Sequence, residues 1–146
     1  MKKFELTSEF VTFLGKKLFR IKALVSFGDV KEGELGGLVE KEENLDQSGN
    51  AWVYGNARVS GNARVYGNAR VQNCRDYSAT SCFGSENRTT TFFRTKDGGI
   101  SVRCGCFYGT LREFREKVKE RHGDSRLAKE YLMLADAMEF RLSKDE

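Results

Sequence analysis

The chain has 146 residues, 39% of them hydrophobic and 32% charged, with a formal charge of +4. That is enough apolar side chain for a modest core, and it argues against a disordered chain. No apolar run approaches the ~20 residues needed to cross a bilayer, and Met1-Lys2-Lys3-Phe4-Glu5 opens without a signal-peptide core, so a soluble cytoplasmic protein with no membrane partner is expected.

In chain order, Phe10 to Leu24 reads as a β-hairpin turning at Gly15-Lys16, with alternation in Phe19, Ile21 and Ala23. Gly33 to Val39, with Gly36 and Gly37, reads as a flexible entry into a repeat region. From Gly49 the chain repeats itself: Gly49-Asn50-Ala51-Trp52-Val53-Tyr54, then Gly55-Asn56-Ala57-Arg58-Val59-Ser60, Gly61-Asn62-Ala63-Arg64-Val65-Tyr66 and Gly67-Asn68-Ala69-Arg70-Val71-Gln72. Six residues are too few for a helical repeat and suit one side of a left-handed parallel β-helix. Its valines would point inward, its alanines would fill tight corners, and Gly-Asn would turn the chain through left-handed backbone. Three such hexads would close a triangular coil and stack residues 18 apart. Arg70 would then lie over Trp52 in a cation–π contact, Arg64 over Asp46 and Arg58 over Glu40.

After Tyr77 the period is lost. Arg88 to Arg94 is strand-like, Lys96-Asp97-Gly98-Gly99 is a hairpin turn, and Ile100 to Phe107 is the return strand. Thr110-Leu111-Arg112-Glu113 is a capping box opening a helix that Gly123 stops, and Asp124 or Ser125 caps a second helix with Leu127, Tyr131, Leu134 and Met138 on one face. The fold expected is mainly β with an α+β tail: a short left-handed parallel β-helix capped by an N-terminal β-hairpin, then a β-hairpin and two C-terminal helices. The expected boundary separates residues 1–78 from 79–146.

The cysteines are Cys74, Cys82, Cys104 and Cys106. Their spacing is not that of a zinc site, and they read as buried small hydrophobes, with Cys104 and Cys106 on one face of a strand. One histidine, His122, sits at a helix end, so a His-rich metal site is excluded and little room is left for His-based catalysis. No catalytic residue, metal or cofactor is expected.

Charge is uneven. Between Gly49 and Arg103, eight basic residues, seven of them Arg, face three acidic ones, a net +5. Within it, small hydroxyls, Arg and aromatics gather at Ser85, Asn87, Arg88, Thr89, Thr90, Thr91, Arg94, Arg103 and Phe107. Backbone access at Gly84, guanidinium groups and an aromatic ring are what a nucleotide-sized anion needs, and these nine residues are the candidate ligand site. A groove tracking nucleic acid is not expected, because the Arg of successive hexads would fall on different sides of the coil.

The segments Phe19 to Leu24, Gly28-Asp29-Val30-Lys31, Leu35-Gly36-Gly37 and the hexads from Gly49 resemble hexapeptide-repeat proteins of tailed phages and prophages, some described as polymer-forming or transferase-like. Gly84-Ser85, Thr89 to Phe93, Lys96-Asp97-Gly98, Cys104 to Phe107, Gly109-Thr110-Leu111, Phe114 and His122-Gly123-Asp124 look like the module that often ends such chains. The resemblance implies a phage origin and β-helix architecture, and it leaves the biochemistry open. The resulting expectation is a non-enzymatic binding protein that antagonises host defence, by sequestering an anionic nucleotide-like signal or by blocking a host protein. A structural assembly module is the alternative. A hexapeptide acyltransferase is a further one, weakened because such enzymes rely on a repeat-borne His base and these hexads carry none. Self-association is expected in each case, a trimer ahead of a dimer.

Overall fold

A computed structural model describes residues 2–73, 75–83, 88–105 and 107–143, without the side chains of 81–83 and 88. The chain begins with a hairpin of β1 (Phe4–Phe13) and β2 (Lys16–Ala23), closed by a two-residue turn in which Leu14 and Gly15 both have positive φ, 52° and 80°. That turn matches the twist of paired strands. A register shift between Leu6 and Phe10 bulges β1. Its inner end places Phe4 and Leu6 with Ile21 and Ala23 against the core.

β3 (Leu35–Val39) pairs antiparallel with β2. It is a buried strand where a flexible entry was expected, and its glycines explain why. A Cβ on Gly36 would come within 2.6 Å of Trp52 Cζ2, and one on Gly37 within 2.5 Å of Val53 Cγ1 and 2.7 Å of the Ala57 carbonyl. The two residues are small so that the strand can lie directly on the first hexads. A single 3-10 turn, Glu42–Asn44, comes next.

The hexads contribute only two-residue strands: β4 (Trp52–Val53), β5 (Arg58–Val59) and β6 (Arg70–Val71). Val53, Val59, Val65 and Val71 are fully buried, and Ala51, Ala57, Ala63 and Ala69 are at most 5% exposed. Each repeat glycine takes positive φ, between 57° and 69°. Tight turns result, as where Ala57 N donates to Tyr54 O at 3.1 Å.

The parallel β-helix is nevertheless not what forms. β5 adds parallel to β3, giving a mixed sheet of order β1-β2-β3-β5, while β4 and β6 make a separate parallel pair. Arg58 is opposite Leu38 rather than Glu40, and Val65 bridges Leu45, so Arg64 does not stack on Asp46. Arg70 is in register with Trp52, yet its guanidinium lies over Tyr54, because Trp52 is sealed in the core. A six-residue period specifies which side chains point inward. It does not specify the partner strand, and here the antiparallel hairpin occupies the neighbouring edge of β3.

β7 (Tyr77–Phe83), β8 (Arg88–Arg94), β9 (Ile100–Cys104) and β10 (Phe107–Thr110) form an antiparallel sheet of order β10-β9-β8-β7. The expected return strand through Phe107 is broken at Gly105, whose φ of 58° turns the chain, so Cys104 ends β9; Cys106, the other member of the expected same-face pair, lies outside the described residues. The sheet is buried on both sides. Phe93 and Tyr77 join the core of the hexads, while Phe92 and Val102 join a second core beneath the helices.

Those helices are α1 (Leu111–His122) and α2 (Arg126–Leu142). Thr110 Oγ1 accepts from Glu113 N at 3.1 Å while Glu113 Oε1 accepts from Thr110 N at 2.8 Å, and Gly123 ends the helix. Ser125 Oγ caps α2 by accepting from Ala128 N at 3.2 Å. Among the described residues no helix is long and apolar enough to cross a membrane.

Candidate functional site

Of the nine residues expected to bind an anion, those described are not gathered into one pocket, although Thr91 and Arg103 are cross-strand partners. Ser85 and Asn87 lie outside the described residues, and of Arg88 only its place at the start of β8 is described. Thr89 is half-buried in the same strand. Thr90 and Thr91 are buried and engaged: Thr90 Oγ1 donates to Cys104 Sγ at 3.2 Å, and Thr91 Oγ1 accepts from Arg64 N at 3.0 Å. Phe107 packs on Phe114 in the helical core.

The two remaining arginines face opposite sides of the sheet. Arg94 Nη1 donates to Asp76 Oδ1 at 3.2 Å, its Nε to the Leu142 carbonyl and its Nη2 to the Ser143 carbonyl at 3.2 Å. It thus holds the C-terminal end of α2, where a cation suits the carbonyl dipoles. Arg103 instead lies over the Tyr66 ring, 4.3 Å from its centre. Both positions are structural contacts, and they do not define a common pocket.

A polar cleft of about 450 Å³ opens elsewhere, between the Gly28–Asp29 turn, the edge of the first and fourth hexads, and the β8–β9 turn. Four separate stretches of sequence build it. Phe27 and Val30 exchange backbone bonds of 2.9 and 2.8 Å, which presents Asp29 at the tip of a tight turn. Asn50 and Asn68 hold equivalent places in their hexads and come together because Asn50 N donates to Gly67 O at 3.2 Å. Lys96 N donates to Asn68 O at 2.9 Å, pinning the β8–β9 turn beside them.

Within the cleft, Tyr54 Oη donates to Asp29 Oδ1 at 2.9 Å, and Arg70 Nη1 approaches Asp29 Oδ2 at 3.3 Å. The guanidinium of Arg70 also covers the Tyr54 ring at 5.1 Å. Burial, reinforced by the bond to Asp29, pushes the Tyr54 phenol up to about 12. The same hydrogen bond, with the nearby charge of Arg70, holds the Asp29 carboxyl below its ordinary range. Neither group changes protonation near neutral pH, so the contact is a neutral phenol donating to a carboxylate.

The other acid is also occupied. Asp97 Oδ1 accepts from Thr95 Oγ1 and from Gly99 N. By contrast, among the described residues the Lys96 ammonium and the carboxamides of Asn50 and Asn68 make no hydrogen bond or ion pair. Hydrogen-bond donors are therefore left open beside Lys96, whose charge acts on Asp29 only at longer range.

Sequence reasoning placed Lys96-Asp97-Gly98-Gly99 as a turn and missed its role as a cleft wall. The usable signal was the repeat itself: residues 18 apart meet at this edge, so Asn50 and Asn68 form a pair. Nothing local to Asp29 announces that it completes the site. Among the described residues no cluster of three His, Cys, Asp or Glu side chains is arranged to hold a metal. A comparison with protein-family models and with curated proteins finds no match.

Proposed function

We propose that the chain is a non-enzymatic binding protein and that its ligand is a small anionic, nucleotide-like molecule seated in the cleft of Asp29, Tyr54, Arg70 and Lys96. One observation carries this reading: both carboxylates of the cleft are already satisfied by protein donors, whereas the Lys96 ammonium and the Asn50 and Asn68 amides are not. An anionic group would sit against Lys96, with Arg70 behind it, and the two amides suit the polar edge of a base or a sugar. Sequestration of a nucleotide signal in the cytoplasm of an infected cell is the role this binding would serve. That setting is supported by the resemblance of the hexads and tail to phage proteins.

The test is thermal denaturation and calorimetry of the full chain against nucleoside mono-, di- and triphosphates and cyclic dinucleotides. A ligand at a hundredfold its Kd stabilises by about 2.7 kcal/mol, a readily measured rise in Tm. Lys96→Ala should abolish that rise while leaving the unliganded Tm unchanged. If no nucleotide in the panel raises Tm, the reading fails.

A further inference from the structure

The outer end of β1 leaves a strand edge unguarded. β1 is the edge strand of its sheet, with β2 as its only neighbour among the described residues. Across the two-residue turn Phe13 pairs with Lys16, so the main-chain groups of Phe13 and Val11 turn toward β2, and those of Phe10 and Thr12 turn outward. Natural edges are protected by Lys, Pro or a bulge. Phe10 to Leu14 has none of these; the bulge comes earlier, where Thr7 Oγ1 donates to Arg20 O and accepts from Glu9 N.

This same stretch is apolar and exposed. Phe10 and Phe13 are each 44% exposed and Leu14 is 85% exposed. Leu14 is also the one non-glycine residue with positive φ among the described residues, in a turn position that suits Asn or Gly. An exposed leucine held in strained backbone marks a site where something beyond local turn stability is served. Lys17 lies over the Phe10 ring and Arg58 over the Phe13 ring, at 4.9 and 4.7 Å, so the ring faces are covered while the strand's edge is open.

We propose that this edge pairs antiparallel with the same edge of a second copy of the chain, about a two-fold axis at Thr12. The outward main-chain groups permit few registers, and this one sets Thr12 against Thr12 and Val11 against Phe13, while the turn residue Leu14 of the second copy brings only its side chain beside Phe10. Every apolar residue of the edge then meets an apolar partner, and the central threonines form a favoured cross-strand pair. The two Lys17 residues stand three strand spacings apart, about 14 Å, beyond the reach of unscreened repulsion at physiological salt. The bulge at Thr7 to Glu9 ends the pairing, which keeps it finite. The product is one continuous sheet running through both copies, and it is independent of the ligand cleft.

The experiment is sedimentation velocity of the full chain over a dilution series, with far-UV circular dichroism on each variant. A species of twice the 16.6 kDa chain mass that dissociates on dilution is expected. Thr12→Pro removes an outward N–H without touching the bonds to β2, and should give the 16.6 kDa species with an unchanged spectrum. Leu14→Asn relaxes the turn and removes the partner of Phe10; it should raise the dimer dissociation constant by at least about tenfold, and it decides the matter should Thr12→Pro lose its fold. A wild-type chain that stays monomeric throughout, a trimeric mass, or a dimer indifferent to the variants overturns the proposal.

Discussion

The Tyr54 hydroxyl donates to Asp29 at 2.9 Å across a separation of 25 residues, joining the last position of the first hexad to a turn that precedes the repeat. The bond shapes the cleft, helps raise the Tyr54 phenol and holds the Asp29 carboxyl low. Tyr54→Phe removes it while preserving the ring beneath Arg70. The expected loss of stability is about 1 kcal/mol. The Asp29 carboxyl, held low chiefly by this bond, should titrate closer to the ordinary range in the variant. Because a depressed carboxyl stabilises the fold above its unfolded pKa, the gap between wild type and variant should be present at neutral pH and shrink on acidification through the folded value. Carboxyl chemical shifts followed by NMR, with urea melts at matched pH, check both statements.

Arg94 tests the division between binding and structure. It bonds Asp76, which is 4% exposed, and two carbonyls at the end of α2. Arg94→Met should destabilise by about 3 kcal/mol, the usual effect of leaving a buried charge without its partner. It should leave nucleotide binding at the cleft unaltered in calorimetry at a temperature where the variant is folded.

Gly37→Ala places a methyl against Val53 Cγ1 and the Ala57 carbonyl, at 2.5 and 2.7 Å. The neighbouring backbone cannot yield, so a loss of at least about 1–3 kcal/mol is expected from overpacking. Gly33→Ala, where a Cβ meets nothing, should show only the smaller effect of its positive φ of 88°. Denaturant midpoints of the two variants separate the causes.

Lys3 is 4% exposed, and its ammonium donates to the carbonyls of Ala51 at 2.8 Å and of Ser48 and Gly49 at 3.3 Å. Burial pushes its pKa down to about 8, against a partial pull upward from Asp46. The folded state therefore gives up this proton before the unfolded state does. Relative to Lys3→Met, wild type should gain stability as pH rises from about 8 toward 10.5, with a slope no steeper than about 1.4 kcal/mol per pH unit. Urea melts of both proteins on either side of that interval measure it.

The inward valines and small alanines of the hexads were readable from the period, as was the helix cap at Thr110, because each depends on neighbours a few residues away; the sequence narrows the second cap to Asp124 or Ser125, and Ser125 holds it. Strand partners were not. Val59 is buried in a parallel helix and in the observed mixed sheet alike, so its pattern is silent on whether β3 or another hexad lies beside it. The candidate site suffered from the same limit. A run of threonines beside arginines looks like an anion site until tertiary contacts reveal that Thr90 and Thr91 are buried and that Arg94 reaches the far end of the chain. Asp29, Asn50 and Lys96 are too distant in sequence for any local pattern to join them.

Phe92 and Phe93 are both fully buried, one in each core. They come directly after Thr89-Thr90-Thr91, so a slip of β8 by one residue would put Phe93 where Phe92 belongs and a threonine where a threonine stood. Only part of the strand is blind to its alignment, since the slip also puts Phe92 into the buried place where Thr91 accepts from Arg64 N. Its end is not: the same slip would drive Arg94 into the place of Phe93, in an apolar core, and break its hold on Asp76 and α2. The residue read from sequence as a ligand contact is one that makes misalignment costly, tying the register of β8 to the last turn of α2.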